Sequence, residues 1–205
     1  MPQTAAAPTS RFERRRERSR AALLDAAIAL FQEQGLRATK LEDICARADV
    51  APRTFFNHFE TREHLYDAIA QQRAAQTAEQ LDALCADPRP LARRLNELFA
   101  AIGAYLTARP PYREMVGEML RLRQDGGSAF VREGVLGAAA LRFVRDGVRR
   151  REIGRRHRPD ALADLLLGAL IVAIGNWSAS EDYDLERGLA DAARALLDLF
   201  SAERT

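Results

Sequence analysis

An all-helical chain is expected from three observations. Strand-like alternation of apolar and polar residues is missing, and no Asn-Gly or Asp-Gly pair sits between β-branched runs. Proline, glycine and short acidic clusters instead interrupt stretches of helical period where helices should stop and start. The interruptions fall at Gly35, Ala51-Pro52, Glu60-Thr61, Asp87-Pro88, Pro110-Pro111, Asp125-Gly126-Gly127, Arg158-Pro159 and Asp182 to Asp184. They delimit about nine helices: three short, closely linked ones, then longer ones over 62–84, 89–108, 111–123, 128–151, 160–179 and 184–202. With 47% hydrophobic and 29% charged residues in 205, the chain has material for a small domain followed by a larger one, and general disorder is excluded.

The first helix places Leu23, Ala27, Leu30 and Phe31 on one stripe, widened by Leu24 and Ile28, and stops at Gly35. The second puts Leu41, Ile44, Cys45 and Ala48 on one face, and its start, TKLE, has the Thr-x-x-Glu form of a capping box. Ala48-Asp49-Val50 turns the chain, and Pro52 suits the first position of a third helix. Two short helices joined by a tight turn form a helix-turn-helix.

The third helix then explains a mixed sequence, PRTFFNHFE. Phe55 and Phe59, four apart, pack back on the first two helices, which leaves Arg53 and Asn57 together on another face. An α-helix fits the major groove of B-DNA, where Arg suits guanine O6/N7 and Asn suits adenine N6/N7. Arg53 and Asn57, with Pro52 at the leading edge of the helix, are therefore the candidate base contacts. Thr54, His58 and Arg62, and Thr39 and Lys40 at the start of the second helix, are the candidate phosphate contacts.

Charge agrees. The net charge is only +2, but RFERRRERSR (11–20) holds six Arg and two Glu, a basic arm of the kind that meets phosphates. Residues 1–18 are expected to be a disordered basic arm, 19–66 the helix-turn-helix domain and 67–205 a larger helical domain.

Residues 20–66 resemble the DNA-binding domain of the TetR family of bacterial transcriptional regulators, through the nearly continuous pattern FQEQG-x3-TK-LEDICARADVAPRTFFNHFETREHLY. The resemblance implies that Thr54 contacts the DNA backbone, that His58 contacts phosphate, and that Arg62 stands for a lysine at the next helix start. It also marks departures. Asp49 occupies a turn position usually held by glycine and must accept a left-handed backbone. Lys40 replaces the second residue of a Thr-Thr pair, Cys45 an alanine, and Phe56 a tyrosine whose hydroxyl could reach phosphate.

For the body, the resemblance implies dimerisation and binding of a small effector, with the fourth helix joining the two domains. The stretch PDALADLLLGALIVAIGNWS (159–178) is apolar around most of its circumference, more than one small core readily satisfies. Leu166, Leu170 and Ala173 there, and Leu189, Ala193, Leu196 and Phe200 on the last helix, are the candidate homodimer interface, matched to a palindromic operator. Phe99, Tyr105, Met115, Met119, Phe143 and Trp177 are the candidate lining of a pocket for a hydrophobic or aromatic effector. A repressor of transcription is expected; an effector-binding dimer that no longer reads DNA stays open as the alternative.

Other classes find little support. The start MPQTAAAPTS has no apolar stretch to serve as a secretory signal, and the longest apolar run, LLLGALIVAIG, has 11 residues where a span needs about 20, so a cytoplasmic chain without membrane insertion is expected. Cys45 and Cys85 are distant, and His58, His64 and His157 show no ligand spacing with them, so no metal, disulfide or cofactor is expected. No nucleophile motif accompanies His157, which argues against an enzyme.

Overall fold

The computed structural model of the chain describes residues 10–110, 112–125 and 134–201. Among them are nine helices and no strand: α1 (Arg11–Gln34), α2 (Leu41–Arg47), α3 (Pro52–Phe56), α4 (Arg62–Ala86), α5 (Leu91–Thr107), α6 (Tyr112–Asp125), α7 (Val135–Arg149), α8 (Pro159–Ala179) and α9 (Leu185–Phe200). Residues 1–9 of the expected arm, the break at Gly126-Gly127 and the start of the helix expected over 128–151 lie outside the described residues.

Residues 11–18, expected as disordered, belong to α1. Ser10 explains the difference: its hydroxyl accepts from the Glu13 N–H at 3.1 Å, and the Glu13 carboxylate accepts from the Ser10 N–H at 2.6 Å. That reciprocal cap holds the first turn, and arginine is a good helix former.

The start of α2 differs as well. Thr39 and Glu42 do not form the expected capping box. The Thr39 side chain is turned inward, 1% exposed, and its hydroxyl donates to the Gly35 carbonyl at 2.8 Å. Asp43 instead accepts from the Lys40 N–H at 3.3 Å, and the helix begins at Leu41. Asp49 does take the left-handed backbone, with φ 53°.

In the first three helices Leu23, Ala27, Phe31, Ile44 and Phe55 are fully buried, with Cys45 and, in the turn after α3, Phe59 nearly so. Burial of each large side chain contributes about 1.5–3 kcal/mol, so the unit is held chiefly by this small core. Burial also pushes the Cys45 thiol up, away from reactive thiolate. Helix α4 leaves this unit and packs on α5, α6 and α7, while α8 packs on α6, α7 and α9, and α9 also on α5. Helix α8 has the length and apolar composition of a membrane span. One of its faces, however, places Leu162, Leu166, Leu167, Leu170 and Trp177 in the core.

An ionic cluster ties α4, α5 and α7 together. Arg94 is fully buried; its Nη1 donates to the Leu84 carbonyl at 2.9 Å and stands 3.5 Å from Asp146 Oδ2, and its Nη2 pairs with Glu152. Arg150 stands 2.8 Å from Asp146 Oδ2 and donates to the Asp87 carbonyl at 2.6 Å. The Asp146 Oδ2 contacts are outside hydrogen-bonding geometry, so they act by charge.

Candidate nucleic-acid interface and effector cavity

The buried aromatics of α3 aim its polar residues outward. With Phe55 and Phe59 against α1 and α2, Pro52, Arg53 and Asn57 are exposed, and Thr54 is half-buried. Neither Arg53 nor Asn57 has a side-chain hydrogen bond or ion pair among the described residues. Asn57 follows the last residue of α3 as its C-cap but keeps helical φ and ψ, so it stays in register with Arg53. Phe56, 54% exposed, adds an apolar edge beside them. Lys40 is exposed at the start of α2.

Three of the expected phosphate contacts are committed elsewhere in the free protein. The Thr39 hydroxyl faces the interior, as described. Arg62 is half-buried: its Nη2 donates to the Thr39 carbonyl at 2.9 Å, its guanidinium lies 6.0 Å from the Tyr66 ring, and its Nε is buried without a hydrogen-bond partner. Arg62 therefore braces the loop before α2 against α4. The His58 Nε2 lies 2.8 Å from the Ser19 hydroxyl. Burial first, then the charges of Arg16 and Arg20, lower the His58 pKa, so the ring is neutral at neutral pH. This contact, together with Arg20 stacked 5.4 Å over Phe59, fastens the basic first turns of α1 beside α3. Ser19 is the residue that sequence reasoning missed here. Its signal was a small polar residue on a helical face otherwise crowded with arginine.

The larger domain holds a half-open cavity of about 340 Å³ between α4, α5, α6, α7 and α8. Of the six side chains expected to line it, Tyr105 and Met119 do so. Phe99, Met115, Phe143 and Trp177 are buried to 3% exposure or less and fill the core beside it. The α4 wall, overlooked in the sequence, comprises Ala70, Arg73, Ala74, Gln76, Thr77 and Gln80. Its signal is the spacing of small residues three and four apart, which leaves volume that leucines would have occupied. Opposite stand Ile102 and Leu106 from α5, Val116, Met119 and Leu120 from α6, Leu136 and Ile174.

The cavity touches the DNA-facing unit directly. Tyr105 accepts a hydrogen bond at its hydroxyl from Gln32 Nε2 of α1 at 3.0 Å. Arg37, after α1, pairs with Glu114 of α6 at 2.6 Å.

The residues expected at the dimer interface lie in the core of the single chain. Leu166, Leu170, Ala173, Leu189, Ala193, Leu196 and Phe200 are all 5% exposed or less within one chain and form its core. The apolar residues that α8 turns outward are Leu165 and Val172, 51% and 61% exposed, and Leu199 of α9 is 39% exposed. A side chain placed at Gly168, between Leu165 and Val172, would meet nothing within 4 Å.

The chain thus joins a helix-turn-helix with an outward polar face to a helical body that holds a cavity. Residues 23–69 match the sequence model described as "Bacterial regulatory proteins, tetR family". The chain is 26% identical over 160 residues to the HTH-type transcriptional repressor DhaR of Mycobacterium sp. (strain GP1), covering 72% of this chain and 76% of that one. In fold it is similar to a TetR-family regulator of Pectobacterium atrosepticum, with a TM-score of 0.71 and 24% identity, covering 93% of this chain and 95% of that one. It is also similar to the TetR-family repressor FadR of Thermus thermophilus, with a TM-score of 0.68 and 19% identity, covering 91% and 97%. Residues 23–69 thus carry the sequence signature of the TetR family of bacterial regulators, and the chain shares its fold with structures of that family.

Proposed function

We propose that this regulator is a repressor that reads a palindromic operator as a homodimer and is released by a small apolar effector in the α4–α8 cavity. The observation that carries the DNA-reading role is the outward presentation of Arg53 and Asn57, without side-chain partners among the described residues, on a helix whose aromatic face is locked into the core. Lys40, Thr54 and the exposed arginines at the start of α1 supply phosphate contacts around it. The Thr39 hydroxyl, Arg62 and His58 serve that surface by holding its loops, with direct phosphate contact requiring that they let go of their present partners.

Release follows from population shift: an effector that binds better to a dimer with wrongly spaced recognition helices draws the protein off successive major grooves, about 34 Å apart. The T. thermophilus relative, in complex with lauroyl-CoA, supports a ligand-responsive body. Selection of binding sites from random duplex DNA tests the reading. A two-fold symmetric consensus, bound with an affinity that falls steeply with salt, is expected. Failure to enrich any sequence would instead favour an effector-binding dimer that does not read DNA.

The dimer rests on the outward apolar row of α8, which a chain alone in water would leave wet. Leu165→Asp/Val172→Asp is expected to turn the dimer into a folded monomer in light scattering, with operator binding reduced to that of a single half-site. A variant that stays dimeric would place the interface elsewhere.

A further inference from the structure

We infer that the effector is a small organic monoanion, an acid group such as a carboxylate on an aromatic or aliphatic body, whose charge pairs with Arg73. This deepens the reading of the α4–α8 cavity as the effector site and rests on it. Among the described residues lining the cavity, Arg73 is the single charged group, and no Asp or Glu accompanies it. A cationic ligand would meet repulsion there, and a neutral one would leave the guanidinium uncompensated.

Arg73 is also preorganised for an acid. It is half-buried; its Nε donates to the Tyr112 hydroxyl at 3.3 Å and its Nη1 to the Gln76 side chain at 2.8 Å. The rings of Tyr105 and Tyr112 lie 5.3 Å and 6.0 Å from the guanidinium carbon. Both bonds go to neutral groups, and Nη2 has no partner among the described residues, so the planar fork keeps donors for a carboxylate. The remaining walls, Ile102, Leu106, Val116, Leu120 and Ile174, suit an apolar body. A volume of about 340 Å³ is at the small end for ligand pockets. One guanidinium matches one negative charge, which favours a free acid over an acyl ester of a polyphosphate carrier.

The test uses two dyes with one ring system: anilinonaphthalene sulfonate, an apolar monoanion, and phenyl-naphthylamine, which lacks the sulfonate. The full-length wild type is expected to bind the sulfonate about ten-fold more tightly or better, the value of a charge-assisted pair. Arg73→Met should erase that preference while keeping affinity for the neutral dye, and Arg73→Lys should restore part of it. Ala74→Phe, which narrows the cavity, should weaken both. Equal wild-type affinities, or a preference unchanged in Arg73→Met, would overturn the anion assignment while leaving the effector site standing if Ala74→Phe still weakens both dyes. If neither dye binds, or Ala74→Phe affects neither, the effector-site reading falls and this inference with it.

Discussion

Arg53→Ala/Asn57→Ala is expected to weaken binding to the selected operator by about a hundred-fold or more, while binding to unrelated duplex falls only slightly. Each bidentate contact between a side chain and a base edge is worth roughly 1–3 kcal/mol of discrimination. The proposed dimer carries each residue twice, so four such contacts would disappear. The set proposed to contact phosphate, Lys40, Thr54 and the α1 arginines, is untouched. The slope of affinity against salt should therefore change by no more than the two lost Arg53 charges allow. Because both side chains are exposed and make no internal hydrogen bond or ion pair among the described residues, the variant should melt within a degree or two of wild type. Anisotropy of labelled operator and of a scrambled duplex across a salt series measures all three quantities. Equal losses on both duplexes would mean that these residues grip backbone rather than read sequence.

Asp146→Ala is expected to cost about 3–5 kcal/mol of stability, far more than any surface substitution. Asp146 is 3% exposed and faces the fully buried Arg94, so its removal leaves a guanidinium in the interior with only Glu152 to balance it. Arg149 and Arg150, which also pair with Asp146, have exposed surface and can turn to water. The physical point is asymmetry: breaking a buried pair is expensive, whereas replacing both partners by apolar groups can be nearly neutral. Arg94→Met/Asp146→Leu should consequently be more stable than Asp146→Ala alone. Urea unfolding at one fixed protomer concentration checks the ordering. If the double substitution proves worse than the single, Arg94 holds α5 against α4 by its hydrogen bond to the Leu84 carbonyl rather than by charge balance.

The recognition helix was the part most legible in sequence, because across this short helix and the turn that continues it the i, i+4 spacing leaves little choice. Once Phe55 and Phe59 go inward, Arg53 and Asn57 must go outward. Local competition was less legible. Thr39 has the right spacing for a cap, but the Gly35 carbonyl lies within reach of its hydroxyl and takes the bond. The arginine run at 11–18 looked like a solvated tail because its anchor, the Ser10–Glu13 cap, is short-ranged and its second support, Ser19 against His58, joins residues 39 apart. The residues expected at the two surfaces of the larger domain share one bias. The strongest apolar stripe on a helix is the one the chain's own core claims, so Leu166, Leu170 and Leu196 were buried where an interface was expected. The same bias selected Phe99, Phe143 and Trp177 as cavity lining. Large side chains fill space, and the cavity lies instead where α4 carries Ala70, Ala74 and Arg73.

The hydrogen bond from Gln32 to Tyr105 spans the joint between the helix that carries the DNA-reading unit and the wall of the cavity. Coupling through such a joint is reciprocal: whatever factor an occupied cavity takes from operator affinity, a bound operator must take from effector affinity. Repressor held on DNA would then sense a higher effector threshold than repressor free in the cell. The number of operator copies would thereby help to set the concentration at which the gene responds.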